Sequence, residues 1–131
     1  MKGFIQEQGK RKQAIARATI QSGSGKVSIN GQELSSFGND MVRLRISEPL
    51  VLAGDVVKTV NINVNSRGGG IYGQADAIRL AIARALVEND KKLKKTFTEY
   101  DRLLLVADVR RKETCKPNDS KARAKRQKSY R

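Results

Sequence analysis

Gly68, Gly70 and Gly73 stand at G-x-G-x-x-G spacing within NSRGGGIYGQADAIRLAIARAL, residues 65–86, after a strand-like run and before a helix-like one. Loop glycines let backbone amides approach a phosphate, and the following helix offers the positive end of its dipole. Two anions suit this chemistry: the pyrophosphate of a free dinucleotide and the backbone of a polynucleotide. For the dinucleotide, Asp108 would meet a ribose hydroxyl, but it comes 35 residues after Gly73 rather than about 20. The preceding run also places Thr59, Asn61, Asn63 and Asn65 on one face, unlike the doubly buried strands of a doubly wound sheet. For the polynucleotide, Arg67, Gly68, Gly69 and Gly70 leave a strand end free of bulky side chains, open to a backbone phosphate. Tyr72 then either stacks on an exposed base or sugar or packs against the body. The same glycines also suit a tight turn with positive φ angles, and the two roles are compatible.

Composition favours the polynucleotide. The chain has 131 residues, the size of one domain, with 27 Lys and Arg against 13 Asp and Glu, a net charge of +14. Such an excess draws the protein to polyanions, with nucleic acid the leading partner. There is no histidine, and Cys115 is the only cysteine. His-based acid/base catalysis, Cys-His pairs, the usual zinc clusters and an intrachain disulfide are excluded, and no residue is nominated as catalytic, as a metal ligand or for a cofactor. Gly25-Lys26 is not a phosphate loop, because Ile20 replaces its first glycine and Val27 its Ser/Thr. No apolar run reaches about 18 residues, and MKGFIQEQGKRKQ lacks the apolar region of a secretory signal. A cytoplasmic protein without a membrane partner is expected.

The elements that hold the loop follow from periodicity. Residues 1–9 read as a lead strand or arm, after which Ala14, Ala16, Ala18 and Ile20 alternate with Ile15, Arg17, Thr19 and Gln21. The Ser22–Gly25 turn and the run KVSI predict a returning strand and a hairpin, closed by Asn30-Gly31. Residues 40–53 read as two short helices joined near Ser47, since Pro49 lacks an amide proton, with Gly54 as the stop. Residues 55–65 alternate, with Val56, Val60, Ile62 and Val64 inward. A helix over 73–89 carries two apolar stripes, and its five alanines let it lie close against its neighbours. LLLVADV, residues 103–109, predicts a strand buried on both faces. The body, residues 1–109, is thus α/β. Residues 110–131 hold ten Lys or Arg, two acids and no aliphatic larger than alanine. They cannot offset their own ordering entropy and predict an interaction arm.

These residues carry a resemblance. GGGIYGQADAIRLAIARAL resembles the signature of the ninth-protein family of the small ribosomal subunit. GKRKQAIARA is similar to that family's basic first strand, GSGKVSINGQEL to its hairpin, and EPLVLAG to the helix before the next strand. The closing residues Gln127 to Arg131 resemble the archaeal and eukaryotic form of its C-terminus. The resemblance implies an α/β (α+β) fold with a mixed β-sheet, helices packed on one face and a long, basic, extended C-terminal tail. It also implies a left-handed β-α-β crossover, against the general rule. The implied partners are small-subunit rRNA of the head (3′ major domain), peptidyl-site tRNA and neighbouring ribosomal proteins, on the cytoplasmic ribosome. Carried over by position, Arg131, Lys128 and Tyr130 become tRNA contacts. Lys10, Arg11, Lys12, Arg17, Arg67, Arg110, Arg111, Lys121, Arg123, Lys125 and Arg126 join Gly68, Gly69, Gly70 and Tyr72 as rRNA contacts. The chain departs from the family pattern at Cys115–Ser120, where an aromatic and glycines are usual, and at Arg126, where an aromatic is usual.

Overall fold

Alternation of small apolar and polar residues makes β2, Ala14–Ser22, the strand on which the fold is organised: Ala14, Ala16, Ala18 and Ile20 are buried and Arg17 is exposed. The computed structural model describes residues 3–127 and 129. Beside β2 lie β1, Ile5–Arg11, and β5, Val60–Arg67; β3, Val27–Ile29, and β4, Gln32–Glu33, complete a mixed five-stranded sheet in the order β1-β2-β5-β3-β4. The β3–β5 pair is parallel and the other pairs are antiparallel.

One face of this sheet carries the core. Helix α2, Ile71–Asn89, packs against β1, β2 and β5, while α1, Asp40–Ala53, and α3, Leu93–Tyr100, pack on α2. Both predicted stripes of α2 are covered, with Ala77, Ile78, Leu80, Ala81, Ile82, Ala83, Ala85 and Leu86 all buried. The alanines do bring backbones close. A Cβ on Gly9 of β1 would stand 2.0 Å from the carbonyl oxygen of Ala77 and 2.7 Å from the amide of Ala81.

Four expectations are corrected. Ser22–Gly25 does not close a hairpin: β5 lies between β2 and β3, and the loop bridges over its end. Asn61 of β5 fills the gap, its Oδ1 accepting from the amides of Ser24 (2.9 Å) and Lys26 (3.1 Å). The β1–β2 and β3–β4 connections are the hairpins, the latter turning at Asn30 and Gly31, both with positive φ. Residues 40–53 form one helix rather than two, because Val42, Ile46, Pro49 and Ala53 make a continuous buried stripe. That burial outweighs the hydrogen bond that Pro49 removes. Gly54 ends the helix at φ 56, and residues 54–59 form a 3-10 turn, so β5 begins only at Val60. Finally, LLLVADV is not a strand. Asp101 accepts from the amide of Leu103 and starts a 3-10 turn over Arg102–Leu104, which buries Leu104 alone. Among the described residues, no helix is long and apolar enough to cross a membrane.

Candidate nucleic-acid interface

Sheet register brings two distant turns together. Arg11 pairs with Ala14 across the β1–β2 turn, and Ile15 pairs with Arg67 at the end of β5, so the glycine loop leaves the sheet beside Lys12 and Gln13. The glycines then divide by role. Gly68 (φ 76) and Gly69 (φ 65) occupy left-handed backbone, and a Cβ on them would stand 2.8 Å from the Gln13 carbonyl oxygen and 2.9 Å from the Ala14 amide. They are required by the turn. Gly70 has φ −103, and a Cβ there would meet nothing within 4 Å. It precedes α2 with no side chain capping the helix, which leaves first-turn amides open at the N-terminus.

The start of the C-terminal arm comes to the same place. Arg11, Lys12, Gly69, Gly70, Tyr72, Arg110, Arg111 and Lys112 line one cleft of about 1190 Å³. Small-molecule pockets usually measure roughly 300–1,000 Å³. Tyr72 is exposed where it lines the cleft.

Carboxylates sort these cations. Asp108 binds Arg110 at 2.7 Å and Arg11 at 3.2 Å, and Asp76 binds Arg11 at 3.6 Å and pairs also with Arg45. The Arg110 fork first, then the Arg110 amide and Arg11, hold the Asp108 carboxyl well below the usual range, while Asp108 raises Arg110. The hydrogen bond to Asp76 raises Arg45 in the same way. Lys12, Arg111 and Lys112 make no side-chain hydrogen bond or ion pair among the described residues and remain free at the cleft. Behind it, buried Arg79 joins Glu48 of α1 to Asp101, the latter at 2.9 Å. Burial opposes the charge of Asp101, but the Leu103 amide and Arg79 outweigh it and lower its pKa. Arg84 donates to the carbonyls of Gln8 (2.9 Å) and Leu105 (3.0 Å), tying α2 to β1 and to the segment that leads into the arm.

The remaining expected contacts lie elsewhere. Lys10, Arg17 and Arg67 alternate onto the opposite face of the sheet. Along the arm, Arg123 pairs with Glu113 at 2.9 Å and Lys125 approaches Asp119 at 3.9 Å, whereas Lys121 and Arg126 are exposed. Lys128, Tyr130 and Arg131 lie outside the described residues. Sequence reasoning missed Lys112, although it directly follows Arg110-Arg111 in the same cationic run. It also missed the clasping roles of Asp76 and Arg45, which no local spacing signals.

Residues 9–131 match the family described as ribosomal protein S9/S16. The chain is 49% identical over 125 residues to small ribosomal subunit protein uS9 of Pyrobaculum aerophilum, spanning 94% of this chain and 88% of that one. It is also 49% identical over 133 residues to the uS9 protein of Picrophilus torridus, spanning the whole of both. With a family match that runs through the sheet, the glycine loop and the arm, this chain belongs to the ribosomal protein S9/S16 family.

Proposed function

We propose that this protein is a structural constituent of the small ribosomal subunit, held on the rRNA of the head by the cleft and by residues 110–131. The end of the arm, Lys128, Tyr130 and Arg131, contacts peptidyl-site tRNA, and other proteins of the head are its neighbours. One observation carries the reading: free Lys12, Arg111 and Lys112 meet the open backbone at Gly70 in a single cleft, in a chain whose relatives are named as small-subunit proteins. The mechanism is charge neutralisation and positioning. Each phosphate neutralised releases condensed counterions, and the planar Arg fork fits phosphate oxygens. The arm, rich in cations and poor in apolar surface, gains its order from the RNA it follows.

Deletion of residues 110–131 tests the reading. If the arm neutralises about six phosphates, the slope of log K against log salt for head rRNA fragments flattens by roughly 4. An unchanged slope removes the arm from RNA binding. Removing only Tyr130 and Arg131 leaves subunit assembly intact and weakens peptidyl-site tRNA binding; unaltered tRNA affinity defeats that part. The geometry does not favour a free dinucleotide, since Asp108 is clasped by two arginines and β5 runs antiparallel to β2.

A further inference from the structure

Among the described residues, the face of the sheet opposite α2 exposes Gln6, Gln8, Arg17, Asn63, Asn65 and Arg67, and the register reads it as rows. Gln6, Thr19, Asn63, Ser28 and, at the far edge, Glu33 form one row, Gln8, Arg17 and Asn65 the next, and Lys10, Ile15 and Arg67 the last. The first row is satisfied internally: Gln6 donates to Thr19 Oγ1 and Ser28 to Asn63 Oδ1, each at 3.3 Å. The middle row is not. Gln8, Arg17 and Asn65 are exposed, and their side chains make no hydrogen bond or ion pair among the described residues. Asparagine is disfavoured within strands. Asn61 and Asn63 have intrachain bonds that account for them, but Asn65, in the central strand, has none.

We infer that the Gln8–Arg17–Asn65 row is a second RNA-contacting surface, one that takes ribose 2′-hydroxyl groups of an A-form duplex. It rests on the rRNA-binding reading above. A carboxamide both donates and accepts, as does a 2′-hydroxyl, and the wide, shallow minor groove of A-form RNA displays these hydroxyls to a flat surface. Arg17, with Lys10 and Arg67 in the adjoining row, stands where flanking phosphates run. The middle and last rows contain no acid and no aromatic ring. The missing rings remove a stacking platform for single-stranded bases. Ile15 is the one apolar side chain in these two rows, too little for the apolar centre of a protein interface.

The test titrates the full chain with an RNA duplex of about 16 base pairs, the span of a small duplex-binding domain. The comparison is the same duplex 2′-O-methylated throughout, which keeps the A-form but cannot donate from the 2′ position. The wild type binds the unmodified duplex more tightly, by about fivefold for each hydrogen bond lost. A Gln8→Ala/Asn65→Ala variant binds both duplexes alike with an unchanged salt slope, and Arg17→Gln lowers that slope by about 0.9. All three positions are exposed, so circular dichroism and thermal midpoint should match the wild type. Equal wild-type affinities, or a preference that survives in the double variant, overturn the inference and leave the rRNA reading standing. Loss of a protein contact from this face, with the RNA preference intact, overturns it equally. Failure to bind either duplex overturns the inference, and failure to bind head rRNA fragments as well overturns the reading beneath it.

Discussion

Alanine placed at Gly69 and at Gly70, one residue apart, separates what the glycine loop does for the fold from the RNA contact proposed for it. At Gly69 the backbone has φ 65, and the new Cβ would stand 2.9 Å from the Ala14 amide and 3.0 Å from its Cβ. Left-handed backbone costs an L-residue about 1–2 kcal/mol, and displacing a packed neighbour adds about 1–3 kcal/mol. Gly69→Ala therefore loses about 2–5 kcal/mol. At Gly70 the backbone has φ −103 and the added methyl meets nothing within 4 Å. The loss is then limited to the poorer helix cap, about 1 kcal/mol or less. For a domain of this size 1 kcal/mol corresponds to roughly 3–5 °C. In a thermal melt, Gly69→Ala falls by about 6 °C or more and Gly70→Ala by no more than about 5 °C.

The binding assay runs the other way. Gly70→Ala stays folded, yet its methyl projects into open space at the cleft that Gly70 lines, where a phosphate would approach, and weakens binding to head rRNA fragments by about fivefold. Equal destabilisation of the two variants would refute the division of the loop. A folded Gly70→Ala protein with wild-type rRNA affinity would refute phosphate approach at this position.

Gly9→Ala forces a Cβ to within 2.0 Å of a backbone oxygen of α2 and should cost about 3 kcal/mol or more; a wild-type denaturation midpoint would mean that α2 does not sit on β1 this closely. Lys12 has φ 52, so Lys12→Gly relieves about 1 kcal/mol of backbone cost and roughly returns it as unfolded-chain entropy. Stability should stay near wild type while the rRNA salt slope falls by about 0.9, and an unchanged slope takes Lys12 off the RNA. Asp101 and Asp108 have lowered pKa values in the folded state. Their stabilisation is complete above the unfolded value near 4 and is lost as pH falls below it through the folded values. Thermal midpoints recorded from pH 7 to pH 2 should therefore fall less steeply for Asp101→Asn/Asp108→Asn than for the wild type, from a lower start; parallel curves would contradict the assignment.

The faces of the strands were legible because one side of the sheet is buried. Ala14, Ala16 and Ala18 on β2 and Val60, Ile62 and Val64 on β5 alternate as a half-buried strand must. The stripes of α2 were legible for the corresponding reason at helical period. Strand order was not. Ser22–Gly25 has the chemistry of a hairpin turn, and what makes it a bridge is Asn61, which is distant in sequence and takes the Ser24 and Lys26 amides. Likewise a short apolar run such as LLLVADV carries no period that separates a strand from a folded turn; Asp101, just before it, was the signal of the turn. At the site, residue type nominated Gly69, Gly70 and Tyr72, and the family resemblance added Arg11, Lys12, Arg110 and Arg111; all of these share the cleft. Which of those cations stay free depends on acids from other elements, and no local pattern encodes it.

That dependence changes what the net charge of +14 means. Asp76 and Asp108 gather Arg11, Arg45 and Arg110, and Glu48 and Asp101 gather Arg79, so four arginines join β1, α1, α2 and the start of the arm. The guanidinium fork, able to face two carboxylates at once, suits this clasping role. Free cations are then left at positions the clasp itself determines. Because Arg11 and Arg110 hold Asp108 between them, Arg111 and Lys112 stand beside the glycine loop before any RNA arrives. Ordering the root of the arm in advance lowers the entropy that binding must otherwise remove. The acids near the cleft thus favour the proposed contact with a polyanion rather than oppose it: they neutralise some arginines and in doing so aim the rest.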